Sequence, residues 1–237
     1  TMEAAQYADL FLRHLLDTGG DIIADGGTEA DLMAACLAHA RGALLDTHKA
    51  NFAGTPMGIT ASGHSGPRAA LPHGAVLERR PQPGETLIAG IGASLGGYHA
   101  ESGITLVVGE MSADHRSVMS AMAACDAAGA AACAAGKTCE EVNVAALAEL
   151  RSAGLGDTIR HRIGHGMGLD GHEAPWLAPG DATPVAPGMV FSNEPGVYRP
   201  GLDGYRTINT MIVTEAGVTI PSRMQADTPI DARVLAI

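Results

Sequence analysis

Aromatic residues are scarce in this 237-residue chain: one Trp, four Tyr and three Phe, or 3% of the total. A core with so few rings must be filled by Ala, Leu, Val and Ile, and a hydrophobic content of 46% supports a sizeable one. Positive charge is also short. Fifteen Lys and Arg stand against 26 Asp and Glu, leaving a formal net charge of −11. That deficit argues against a nucleic-acid partner, which needs a basic surface. The tight basic clusters, "RHR" at 160–162 and "RR" at 79–80, read as solvated loop or helix-end charges. The cysteines, Cys36, Cys125, Cys133 and Cys139, form no CxxC and match no zinc spacing. Reduced, partly buried thiols are expected, which fits a cytoplasmic setting. No apolar run reaches the roughly 18 residues of a membrane span, so no membrane partner and no leader are expected. Thr1 ahead of Met2 suggests that the natural N-terminus lies further upstream.

What the chain does have is glycine, 31 residues of it, with 13 prolines, which predicts many turns and close backbone packing. It also has an internal repeat. "TEADLMAACLAHAR" (28–41) aligns with "TCEEVNVAALAELR" (138–151), Thr28 on Thr138 and Arg41 on Arg151. Each copy opens with Thr and places an acid three residues later, a capping-box start to an amphipathic helix. Downstream, "PGETLIAGIG" (83–92) aligns with "PGMVFSNEPG" (187–196), and "GYHAESGITLVV" (97–108) with "GYRTINTMIVT" (204–214). Each half therefore reads as a helix followed by glycine-rich strands and a hairpin. Two such halves predict one pseudo-symmetric α+β domain over 1–237, with a shared sheet, helices on one face and a site on the other. Further helices are expected over 2–19, ending at Gly19, and over the Ala-rich 114–136.

The densest patch of chemistry is "IGHGMGLDGHEAPW" at 163–176, where His165 and His172 lie among glycines. The repeat shows what should surround it. Glu194 of "NEPG" aligns with Gly90, and Glu101 of "YHAES" aligns with Ile208. Carboxylates at all four positions would cradle two divalent ions, because hard cations want several oxygens and close pairs want bridging ones. Half of that set is missing here.

These segments resemble the pita-bread family of methionine aminopeptidases, Xaa-Pro aminopeptidases, prolidases and creatinases. The resemblance rests on "HRIGHGMGLDGHE", "VAPGMVFSNEPGVY", "GYRTINTMIVTEAG" and "PGETLIAGIGASLGGYHAES" in the family's order, and it covers nearly the whole chain. It implies a curved, mostly antiparallel sheet covered by helices. It also implies five metal-ligand positions, which fall on Gly90, Glu101, His165, Glu194 and Ile208, where the family's metallopeptidases carry Asp, Asp, His, Glu and Glu. Two further family histidines fall on His73 and His172, and the arginine of the family's "GxRxE" segment falls on Arg206. The family's creatinase and prolidase branches carry an N-terminal domain ahead of this region and often pair as dimers.

The expected function is accordingly a metal-independent, creatinase-like hydrolase cleaving a C–N bond of a small polar substrate or short peptide, without a cofactor. His73 and His172 would be its catalytic acid/base residues, since histidine titrates near neutrality. His165, Glu194, Glu101 and Arg206 would bind substrate, with Arg206 pairing a carboxylate in place of lost metal charge. His64, His99, His115 and His161 have no expected role, and Tyr98 and Tyr205 are expected to be structural. One alternative is a divergent Xaa-Pro peptidase that keeps one divalent metal on Glu101, His165 and Glu194. Another is an inactive member acting as a binding or scaffold protein. A homodimer is expected in each case. Other chemistries fit poorly: "GIGASLG" (90–96) leads into a strand rather than a helix, "GHSGP" (63–67) is no nucleophile elbow, and "HEAPW" (172–176) lacks the second histidine of HExxH.

Overall fold

A computed structural model describes residues 1–49, 55 and 57–237. In chain order the elements are α1 (Met2–Ala24), α2 (Glu29–His48), β1 (Gly58–Ser65), β2 (Thr86–Leu95), β3 (Tyr98–Val108), α3 (Ala113–Ala132), α4 (Cys139–Ser152), β4 (Gly164–Gly166), β5 (Glu173–Leu177), β6 (Val190–Asn193), β7 (Gly196–Arg199), β8 (Asp203–Arg206), β9 (Ile208–Thr214), β10 (Gly217–Thr219), α5 (Met224–Asp227) and β11 (Val234–Leu235). The expected α+β class holds. One sheet runs β1-β2-β3-β9-β6-β4-β5, with antiparallel neighbours throughout; β10 adds antiparallel to β9, and β11 adds parallel to β3. β7 and β8 form a separate hairpin.

Both repeated helices begin as their sequences predict. Thr28 Oγ1 accepts from Asp31 N while the Asp31 carboxylate accepts from Thr28 N, and Thr138 and Glu141 do the same on α4. Each half then buries its own helix pair against its own strands. Phe11, Leu12, Leu15 and Leu32 from α1 and α2 pack with Leu87, Ala89, Ile91, Ile104 and Leu106 of β2 and β3. Val118, Met122, Val142 and Leu150 from α3 and α4 pack with Phe191, Met211 and Val213 of β6 and β9. Strand side chains alternate between faces, so the partners of these core residues point the other way. On β3 that leaves Glu101, Gly103 and Thr105 facing away from the helices; on β9 it leaves Ile208 and Thr210.

Two helix ends differ from expectation. α1 does not stop at Gly19 but runs to Ala24, with Gly19 and Gly20 buried inside it. The glycines serve close approach: a Cβ on Gly20 would lie 1.9 Å from the carbonyl oxygen of Ala236. α3 stops at Ala132, four residues short of Gly136, which takes the positive φ of a turn. The four cysteines are free and buried.

α3 also contributes an acid that sequence reading passed over. The Asp126 carboxylate accepts from Asn193 Nδ2 and Asn209 Nδ2, each at 2.7 Å, on the helix side of cross-strand partners in β6 and β9. Burial pushes its carboxyl up to about 6, against the pull of the two amides. A folded-state pKa above the unfolded value means that folding binds the proton, so the stability it lends is complete below about pH 4 and is lost as pH rises through 6. A shift of this size corresponds to roughly 3 kcal/mol. Asp126→Asn is therefore expected to flatten the fall in urea-measured stability between pH 4 and 6.5. Parallel curves for the two proteins would clear Asp126.

Candidate active site

The sheet face turned away from the helices carries the residues singled out from the sequence. Glu101 projects from the start of β3, His165 from β4 and Glu194 from the residue after β6. His165 is held in place by local bonds: its N–H donates to Ser192 Oγ at 3.2 Å, and its Nδ1 lies 3.0 Å from the carbonyl oxygen of Gly166. That leaves Nε2 pointing inward, 2.9 Å from Glu194 Oε1 and 3.7 Å from Glu101 Oε2. His172, just before β5, brings its Nε2 to 3.6 Å from Glu101 Oε1, and its ring lies 3.8 Å from that of His165 between centroids.

Ser192 Oγ donates to Glu194 Oε1 at 2.7 Å. Burial alone would push the Glu194 carboxyl up, but His165, the nearby Arg206 cation and Ser192 outweigh it and hold it well below the usual carboxylate range. His165 shows the converse. Burial disfavours its cation, yet the two carboxylates raise its pKa. The close approach to Glu194 is one of charge more than of hydrogen-bond alignment, for among the described residues the buried Nε2 has no well-aligned acceptor.

Arg206 is buried rather than on the surface, at 4% exposure, and among the described residues its Nε has no hydrogen-bond partner. Its backbone is clamped by Thr105 Oγ1, which accepts from Arg206 N and donates to Arg206 O. Among the described residues it makes no ion pair within 4 Å with Glu101 or Glu194, so the expected direct pairing is not formed; it acts on Glu194 across the pocket. His73, on an exposed turn, lines the same two chambers, one of about 90 Å³ shared with His165 and one of about 230 Å³ floored by Gly90 and Ile208. Burial of its ring and the Arg206 cation lower its pKa, which favours neutral imidazole at pH 7. A larger groove of about 580 Å³ opens beside Glu101 and His172, walled by Leu44, Met57 and Ile59.

The structure also brings in residues given no role from the sequence. His161 lines the smaller chamber, and its Nε2 lies 2.7 Å from the hydroxyl of buried Tyr198. Ser192 orders both His165 and Glu194. The motif itself held the available signal, since His161 and Ser192 each lie within four residues of a site residue. Tyr205 is structural, donating to Asp203 at 2.9 Å, whereas its repeat partner Tyr98 is exposed at a hairpin turn.

Gly90, Gly103 and Ile208 lie on one row across β2, β3 and β9. Ile208 lies over both glycines: a Cβ at Gly103 would meet its Cδ1 at 2.8 Å, and one at Gly90 would meet it at 3.1 Å. On the other side, Glu101, His165 and His172 each offer a ligand atom, all within 4.8 Å of one another. Carboxylate oxygens and imidazole nitrogens are apt donors for a divalent transition ion, and a buried Nε2 without an aligned acceptor is what such an ion would satisfy.

The family model for metallopeptidase family M24 matches residues 1–215. A probable dipeptidase PepE from Mycobacterium bovis is 38% identical over 169 residues, covering 67% of this chain and 45% of that protein. An Xaa-Pro dipeptidase from Pyrococcus furiosus is 35% identical over 159 residues, with the same coverage. The crystal structure of dipeptidase PepE from Mycobacterium ulcerans superposes with a TM-score of 0.84 at 29% identity, covering 99% of this chain and 60% of that one. The chain thus spans about half the length of the curated relatives it matches, and the pita-bread fold expected from its motifs is the fold it has. The expectation of no cofactor is corrected. The matching family is one of metallopeptidases, and Glu101 and His165, expected to bind substrate, converge with His172, expected to be catalytic, as a donor set that fits a metal.

Proposed function

Because this chain belongs to metallopeptidase family M24, we propose that it is the catalytic-type region of a metal-dependent hydrolase of short peptides, of the Xaa-Pro dipeptidase kind. The observation that carries this reading is the convergence of Glu101, His165 and Glu194 beside a chamber walled by His73 and Arg206. The expected creatinase-like action on a small polar molecule yields to it, since the relatives are named dipeptidases. Residues 1–237 are taken as one catalytic-type domain working as a homodimer. Among the described residues no helix is long and apolar enough to cross a membrane.

Glu101 and His165 would hold a divalent ion, which supplies Lewis acidity toward the scissile carbonyl. Glu194, ionised at neutral pH and fixed by Ser192, is set to take the proton of the attacking water. Arg206 offers a buried, unpartnered N–H to an oxygen of the bound peptide. The leaving amine must gain one proton, the one that Glu194 takes from water; neutral His73 at the chamber wall can accept that proton and pass it on to the amine.

Purified protein should hydrolyse one or more Xaa-Pro dipeptides, lose that activity to a chelator and regain it with Mn²⁺ or Co²⁺. Hydrolysis indifferent to the chelator would overturn the metal-dependent reading. Turnover of creatine-type substrates alone would overturn the substrate class. His73→Ala is expected to lower kcat/KM by about 10²- to 10⁴-fold, the usual span for a general acid or base. An unchanged kcat/KM would take His73 out of the mechanism.

A further inference from the structure

We propose that this chain binds one divalent ion rather than two, on Glu101, His165 and His172, and that the Ile208 side chain fills the position of the second. The inference deepens the metal-dependent reading above and rests on it. Two observations carry it, from opposite sides of the site.

The first is the spacing of the donors. Ligand atoms about 2.1 Å from a tetrahedral ion lie about 3.4 Å from one another. Glu101 stands 3.7 Å from His165 Nε2 through one oxygen and 3.6 Å from His172 Nε2 through the other. Those separations are too long for hydrogen bonds and close to the edges of a coordination polyhedron. Three protein ligands with a remaining open position is the usual form of a catalytic mononuclear site. His172 is the addition. Its side chain is 54% exposed, with one ring face against His165, and its Nε2 turns toward Glu101. It thereby exchanges the acid/base role expected from the sequence for a ligand's role. Glu194 is held instead by Ser192, its Oε1 2.9 Å from His165 Nε2, and remains beside the ion.

The second observation is the glycine row. A second ion needs oxygen donors, and the positions that would provide them carry hydrogen at Gly90 and hydrocarbon at Ile208. Ile208 is 6% exposed, and its Cδ1 lies against both Gly90 and Gly103. An ion placed there would lose hydration without gaining ligands, which is strongly unfavourable.

Titration of the metal-stripped full chain with Co²⁺ and Mn²⁺, by calorimetry and by the visible absorption of Co²⁺, reads this directly. The expected result is one equivalent per chain. His172→Ala should weaken that binding tenfold or more, with circular dichroism reporting an unchanged fold. The double variant Gly90→Asp with Ile208→Glu, if folded, should take up a second equivalent. Two equivalents in the unaltered chain, none, an affinity untouched by His172→Ala, or a folded double variant that still binds one would each overturn the proposal. The substrate reading fails separately: protein with one ion bound that hydrolyses no Xaa-Pro dipeptide would refute that reading and leave this one standing.

Discussion

Glu194→Gln is expected to abolish most peptide hydrolysis, lowering kcat/KM by about 10³- to 10⁴-fold, while one Co²⁺ per chain still binds. The substitution keeps the shape of the side chain and its bond to Ser192 but removes the charge that His165 and Arg206 stabilise. A neutral amide cannot take a proton from water. The two readouts must separate for the assignment to hold. If activity and metal affinity fall together, Glu194 is a ligand; if more than a tenth of the activity survives, it is not the base.

The second large effect is on stability and lies far from the chemistry. Glu29, in the first turn of α2, is fully buried. One carboxylate oxygen accepts from Ser65 N and Ser65 Oγ, each at 2.8 Å; the other accepts from Arg68 Nη1 at 2.6 Å and Leu77 N at 3.2 Å. This single side chain ties α2 to the end of β1 and to the turn region that carries His73. Glu29→Ala would leave two backbone N–H groups without their acceptor and take one partner from part-exposed Arg68, which keeps its bond to the Ala75 carbonyl, a loss of about 3 kcal/mol. The midpoint of urea unfolding should move accordingly, and Glu29→Gln, which keeps an acceptor, should fall between. A shift of less than about 1 kcal/mol for the alanine variant would mean that water replaces the carboxylate.

How much of this was legible in the sequence depended on the distance over which each feature is decided. The capping boxes at Thr28 and Thr138 were readable because donor and acceptor lie three residues apart. The strand alternation that puts Glu101 on the face opposite Ile104 was readable for the same reason. The missing carboxylates at Gly90 and Ile208 were found through the internal repeat, which carries spatial information along the chain, and the family resemblance put ligands at the same positions. What fills their place was not legible, because the contact of Ile208 with Gly103 depends on the β3–β9 register. The end of α1 was misjudged because a glycine pair marks equally a helix stop or a close approach, and Ala236, at the other end of the chain, decides which. The metal was misjudged by counting lost ligands. That the Nε2 of His172 turns toward Glu101 was likewise out of reach, since its sequence position does not fix its rotamer.

The contact between Ile208 and the two glycines also makes history matter. An aspartate introduced at Gly90 alone would start with its Cβ 3.1 Å from Ile208 Cδ1 and from Ser62 Oγ, before its carboxylate had found any space. Shortening or replacing Ile208 first removes that obstacle. Ser62 Oγ stays in either order, so the same pair of changes is less crowded in one order than in the other, and their effects should be non-additive. A route back to a two-ion site has its entrance at position 208.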